Sequence, residues 1–458
     1  MTATTPIWGK LADLFSKKVL VQTALVIYGA ASLVAGFAPS MEVLIGARAA
    51  QGLGVGGLTA LVQVVIASMV SPRERGRYSG YIGATFALAT VSGPLIGGLI
   101  VDAPGLGWRW CFWVGIPFAM LAFFVLQKTL HLPVVRREVH VDYLGATLLV
   151  AGVSILLIWV SLAGSQFAWG SSTSLLLIAV GIGVVAAAVY VEARVAIEPV
   201  IPLRLFRDRT TSLATLASVL IGLAMFGSTV YLSQYFQLAR GMSPTKAGLM
   251  SVSMVGGLLV SSILSGRMIT RHGRWKNFLV GGMVLVILGL GLLAMIDETT
   301  NLAVVGAYMA ILGLGLGATM QNLVLAVQNN VAQSDLGAGS SVVTFFRTMG
   351  GSIGVSALGA VLSHQVAESV AAGLDRLGVT VEGGGRGAIP DLNTLPAPVR
   401  QLFEQAFGEA TGHLFLVALP FAVLAFVCVL FIREVPLRTT VLRHDELAPE
   451  VAAEVRQG

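Results

Sequence analysis

Charged groups are scarce in this chain: Asp, Glu, Lys and Arg make up 11% of its 458 residues. The few that stand in or beside apolar stretches are therefore the first candidates for chemistry. Gly9, Asp13, Lys17 and Lys18 lie within ten residues of one another. An acid and two cations at that spacing can pair in one conformation and part in another, which makes a conformational lock. Arg48 lies about one and a half turns inside a long apolar run, where a cation is costly and should face a cavity or an acid. Arg347 lies inside another such run. Gln51, Gln63, Gln234, Gln237, Gln321 and Asn322 also fall in apolar runs and are candidate cavity-lining groups. The plainer role for each amide alone is a hydrogen bond between helices. No nucleophile–base pair, metal-ligand cluster or phosphate loop is present, so neither an enzyme nor a metal site is expected.

The elements that must position these groups are membrane helices. Hydrophobic residues make up 55% of the chain and the mean hydropathy is +0.84; a soluble domain carries about 25% charged residues. Apolar stretches long enough to cross a bilayer recur at 20–38, 43–70, 78–101, 110–130, 143–163, 172–193, 211–237, 245–269, 277–296, 302–328, 338–364 and 411–432. The expected architecture is an all-α polytopic membrane protein with twelve complete spans and an N-terminal stub at 1–8. That stub reaches about 12 Å, against a hydrocarbon core of about 30 Å.

The charge pattern orients the spans. If the loop at 9–18 is cytoplasmic, 21 of the 29 Lys and Arg fall on its side and six on the other. The positive-inside rule then puts the C-terminus in the cytoplasm of a multi-pass cell-membrane protein. Topology also accounts for the net charge of +6, so no nucleic-acid partner is expected; the lipid bilayer is the partner. Cys111 and Cys428 form no disulfide or metal pattern. The longest polar stretch, 365–410, reads as an external loop ending in a short amphipathic helix, "RQLFEQAFGEA".

An internal repeat is visible when "GKLADLFSKK" (9–18) is set against "GRMITRHGRW" (266–275). Gly9 then matches Gly266, Lys10 matches Arg267 and Lys17 matches Arg274. Duplicated basic loops between apolar helices point to a transporter of two related halves, with a substrate path between them.

With these residues in view, the chain resembles the major facilitator superfamily, and within it the fourteen-span drug:proton antiporters of the EmrB/QacA kind. The first motif, Gly9-Lys10-Leu11-Ala12-Asp13-Leu14-Phe15-Ser16-Lys17-Lys18, is similar to the family's loop after helix 2. Leu14 stands there for the usual Arg and Ser16 for the usual second Gly. "RAAQGLGVGG" matches the helix-4 signature through Arg48, Gln51, Gly52, Gly54 and Gly56. "GATFALATVSGPLIGGLI" matches the antiporter signature of helix 5 through Gly93, Pro94, Gly97 and Gly98. Those glycines are expected to let two helices pack closely, and Pro94 to allow a bend. "WRWCFWVGIPFA", "EPVIPLRLFRDR", "YFQLARGMSPTKAGL", "FFRTMGGSIGVSALG" and "REVPLR" resemble the same subfamily, from residue 2 to about 438.

The resemblance implies an N-terminal bundle at 1–130, two additional central helices at 131–210, a C-terminal bundle at 211–436 and a cytoplasmic tail at 437–458. It implies efflux of small amphipathic, often cationic, compounds driven by the proton gradient with no other cofactor, sometimes through a periplasmic adaptor protein. Arg48 would support protonation of a membrane carboxylate. No such carboxylate stands mid-span here: Glu42, Asp102, Asp142, Glu192 and Asp297 lie at span ends and the other acids in loops or the tail. In the family that acid sits in helix 1. The twelve spans then correspond to helices 3–14, with helix 1 and most of helix 2 absent. Two alternatives stay open: export of a specific metabolite or lipid, and a non-functional remnant.

Overall fold

A computed structural model of the chain describes residues 1–103, 105–132, 142–164, 166–377 and 396–437. Residues 133–141, the centre of the expected external loop (378–395) and the tail from 438 lie outside the described residues. The helices are α1 (Thr5–Leu14), α2 (Lys17–Gly36), α3 (Met41–Met69), α4 (Pro72–Asp102), α5 (Trp110–Trp113), α6 (Gly115–Thr129), α7 (Tyr143–Leu162) and α8 (Ser172–Arg194). They continue with α9 (Arg209–Gln234), α10 (Pro244–Met250), α11 (Val252–His272), α12 (Lys276–Leu293), α13 (Leu302–Asn330), α14 (Leu336–Leu377) and α15 (Ala397–Phe431).

Eleven helical segments among the described residues are long and apolar enough to cross a membrane. The remaining expected span, 78–101, lies in α4, whose 31 residues reach about 46 Å. Helices are the natural solution here, because a lipid-facing backbone must satisfy its hydrogen bonds internally. Local sequence fixes many starts. The side chains of Ser40, Asp142, Ser171, Asp208 and Asn301 accept N–H groups in the first turns of α3, α7, α8, α9 and α13. Gly273 ends α11 in the left-handed region, at φ 75°, where a side chain would be strained.

Three expectations are corrected. The stretch at 9–18 is mostly helix, since α1 runs to Leu14 and only Phe15 and Ser16 separate it from α2. Asp13 therefore sits in the last turn of a helix and not beyond its end. The amphipathic segment at 400–410 is not a separate short helix; it is the first part of the 35-residue α15. The span expected to end at 364 extends to Leu377, and the 42 residues of α14 reach about 63 Å, twice a hydrocarbon core.

Buried apolar residues form three clusters. One is built from α1, α2, α3 and α6 around Leu61 and Val64. The largest is built mainly from α9 and α11–α15 around Met283, Leu316 and Phe415. A third joins α7, α8 and the segment around Val200 and Ile201 to Val342 and Phe345 of α14. The halves meet where α1 packs on α14 and α11 on α4. Both contacts lie at the end of the bundle where the Lys and Arg clusters gather, hereafter the basic end: Arg73 and Arg77 of α4 bond Thr270 and Arg271 there.

Candidate functional site

At the basic end Asp13 bridges the halves, but not through lysine. Its Oδ1 accepts the Gly337 N–H at 2.8 Å and its Oδ2 accepts the Ala338 N–H at 2.9 Å. These are first-turn amides of α14, where the helix carries its unpaired donors and the positive end of its dipole. Burial pushes the Asp13 carboxyl up to about 7, while the two N–H donors, then Lys10 and Lys17, pull it down. Lys18 is spent elsewhere: its Nζ donates to the Gln127 carbonyl of α6 at 2.7 Å. Gly9 is essential to the approach, since a Cβ there would strike Ser341 and the Gly337 carbonyl.

The repeat read from the sequence has a structural counterpart. Gly266 of α11 meets the Gly76 backbone of α4 as Gly9 of α1 meets that of Gly337. Four residues after Gly9 comes Asp13; four after Gly266 comes Thr270, whose Oγ1 accepts the Arg77 N–H of α4 at 3.0 Å. Each half thus sends one helix end against the opening turns of a helix in the other. Arg73 reinforces the second contact, donating to the Thr270 and Arg271 carbonyls, both at 3.0 Å.

Sequence reasoning missed the groups that flank this closure. Lys10, 8% exposed, pairs with Glu198 at 3.3 Å, in the segment between α8 and α9. Glu192 accepts the Val200 and Ile201 N–H groups, both at 3.1 Å, which shapes that segment. Arg204 then pairs with Asp335, just before α14, at 2.9 Å. A cavity of about 480 Å³ lies between these side chains. The available signal was "EPVIPLRLFRDR", which holds Glu198 and Arg204, though nothing in it names their partners.

Deeper in the bundle two predicted amides come together across the halves. Gln63 of α3 donates to Gln321 of α13 at 2.8 Å, and both are buried. Arg347 of α14 reaches the residue next to Gln321: its Nη1 donates to the Met320 carbonyl at 3.3 Å. Asn322 is turned onto its own helix, bonding the Ala318 carbonyl at 2.7 Å.

The other predicted residues do not join this cluster. Gln237 bonds Ser233 within its own turn. It lies in the turn just past α9, and the half-buried Gln234 ends that helix, both away from the basic end. Arg48 is exposed; it donates to Gln51 at 2.7 Å and stands 5.6 Å from the Phe112 ring centroid. Gln51 in turn donates to Ser32 at 2.7 Å, tying α3 to α2. The expected close packing at the helix-5 glycines is also corrected. Among the described residues, a Cβ at Gly93 or Gly97 would have no neighbour within 4 Å, and one at Gly98 would only reach Thr245. The close approach of α4 to α11 is made by Gly76, Gly80 and Gly83 instead, where the two helices converge toward the basic end. Of Pro94 only the backbone is described, and α4 runs through it.

The Major Facilitator Superfamily model matches residues 1–355. Over 450 residues the chain is 33% identical to an uncharacterised MFS-type transporter of Mycobacterium tuberculosis, covering 97% of this chain and 64% of that protein. It thus spans less than two thirds of the length of that relative. It is 32% identical to the efflux pump dotC of Dothistroma septosporum (96% of this chain, 77% of the pump) and 32% identical to the multidrug transporter protein MdtP of Bacillus subtilis (89% and 72%). Among solved structures, the transporter FucP in the outward conformation matches with a TM-score of 0.58 at 12% identity, covering 95% of this chain and 86% of that one. The human organic anion transporter MFSD10 matches with a TM-score of 0.58 at 14% identity, covering 92% and 80%.

Proposed function

Because the chain belongs to the Major Facilitator Superfamily, we propose that it is an efflux transporter that exchanges small amphipathic compounds for protons by alternating access. One observation carries the mechanism: Asp13 of the first half holds the opening turn of α14 in the second. That contact closes the basic end, which the charge pattern assigns to the cytoplasm. Opening breaks two hydrogen bonds to a carboxylate and exposes the Gly9–Gly337 approach to water. Hydrogen bonds to charged groups contribute about 1.5–3 kcal/mol each, and those amides regain water on opening. The net cost is then small enough for bound substrate or proton to tip the balance.

The amides Gln63 and Gln321 lie on the path between the halves, and parting them is the second step of opening toward the basic end. Efflux is favoured over uptake by the names of the relatives, an efflux pump and a multidrug transporter among them. The fourteen-helix antiporter subfamily is part of the same reading. Arg48 is assigned to proton coupling, since it is a cation about 10 Å from the end of α3 opposite the basic end. The test is dye pumping by the full-length protein in proteoliposomes under an imposed proton gradient. Accumulation that collapses with the gradient is expected, with Arg48→Ala at least tenfold slower. Accumulation indifferent to the gradient would remove the coupling, and an unchanged Arg48→Ala would remove its role.

A further inference from the structure

We propose that Arg347 is the recognition group for an anion, so that the compounds carried are amphipathic acids bearing a carboxylate or similar group. The inference rests on the transporter reading and narrows it, turning away from the cationic compounds that the family resemblance suggests.

Position comes first. Arg347 is the twelfth residue of α14, about 16 Å along the helix from the basic end, and so about half-way across a hydrocarbon core of about 30 Å. Gln63 is six residues from the basic end of α3 and Gln321 nine from that of α13. By the same rise these lie about 9 and 14 Å up, so the amide bridge lies on the basic-end side of Arg347. Asp13, which holds the start of α14, is a further layer below.

Charge comes second. Arg347 is 8% exposed, and a guanidinium carries five N–H donors. One long bond to the Met320 carbonyl uses one of them. Among the described residues no ion pair engages it. Among the described residues, the helices packed on α14 place no acid at its depth: α7 contains none, Glu404 and Glu409 of α15 lie toward the other end, and Asp13 of α1 is bonded to the start of α14. Neither α9 nor α13 contains an Asp or Glu, and that of α3, Glu42, opens the helix at its other end. Along α14 itself the next acid is Glu368, 21 residues and about 31 Å away. A buried cation without a carboxylate is costly, and the neighbouring Gln321, Gln63, Thr344 and Thr348 offer dipoles but no charge. An anion entering between the halves can take two parallel N–H bonds from the guanidinium. A cation entering there meets a like charge in a medium that screens it poorly.

The test uses two probes on the purified full-length protein: fluorescein, a carboxylate dye, and ethidium, a cation. Binding is read by fluorescence polarisation in detergent for the wild type, Arg347→Lys and Arg347→Gln, with folding checked by thermal melting. The wild type is expected to bind fluorescein in preference to ethidium. Arg347→Gln should weaken fluorescein binding at least tenfold and Arg347→Lys by less, with ethidium binding equal or tighter in Arg347→Gln. If Arg347→Gln does not fold, the wild-type preference and Arg347→Lys decide. Preference for ethidium, equal fluorescein binding in all three proteins, or binding of neither dye would overturn the proposal. Pumping in proteoliposomes separates the two readings. Fluorescein bound but never pumped removes the transporter reading alone, and ethidium pumped without fluorescein binding removes this one alone.

Discussion

Asp13 shows how much one side chain can decide when its partners are backbone amides. Two N–H groups at a helix start hold it, so the contact needs an acceptor with two oxygens and forms only when α1 and α14 meet. Asp13→Ala removes both acceptors; it should shift the equilibrium toward an open basic end by about tenfold, or ~1.4 kcal/mol. Labelling of a cysteine introduced at Ser341 from that side measures it, and unchanged labelling would show the contact to be idle. The pH dependence follows from burial. The carboxyl, ordinarily near 3.8, is raised to about 7 in the closed state, so closing takes up a proton between those values. This contribution to closure is therefore present at low pH and is lost as pH rises through about 7. Ser341 labelling in the wild type should increase over that range, and in Asp13→Ala it should not respond.

At the scale of elements, small residues decide where helices cross. Gly9 on Gly337 and Gly266 on Gly76 bring backbone against backbone at two places related by the internal repeat. Gly9→Val should prevent closure and lower dye transport at least tenfold, and Gly266→Val should do the same from the other half. Gly97→Ala should stay within twofold, because no described atom lies within 4 Å of its new methyl. Equal losses at all three positions would mean that the glycines serve folding and not the crossing. The sequence marked Gly93, Gly97 and Gly98 through a motif resemblance. The atoms that a side chain would strike lie instead at Gly76, Gly80 and Gly83, and a motif does not carry that information.

At the scale of the whole molecule, the segment between α8 and α9 joins the central helices to both sides of the closure. It reaches α1 through Glu198 and the start of α14 through Arg204. If it parts from α1 when the basic end opens, a tether between them must stop the cycle. Lys10→Cys with Glu198→Cys, joined by a short bis-methanethiosulfonate in a chain with Cys111 and Cys428 replaced by serine, should abolish dye transport and recover it on reduction. Full transport in the cross-linked protein would show that the segment moves with α1. The Arg204–Asp335 pair contributes less, about 0–1 kcal/mol, because Arg204 is largely exposed and water screens it.

The helical, membrane-spanning character was determined by the sequence alone. Runs of about twenty apolar residues and one-sided Lys and Arg clusters leave few other folds open. The repeat was legible too, since Gly9 and Gly266 align within matching basic stretches, and a further four residues would have paired Asp13 with Thr270. Partners were not legible. Asp13 stands 324 residues from Gly337 and Gln63 stands 258 from Gln321, and backbone N–H groups leave no mark in a residue list. Which of six amides meet, that Lys18 turns to α6, and that Arg347 reaches the Met320 carbonyl were decided by how the helices cross. Helix formation is local and written in hydropathy; a contact between two halves depends on packing that no short stretch of sequence contains.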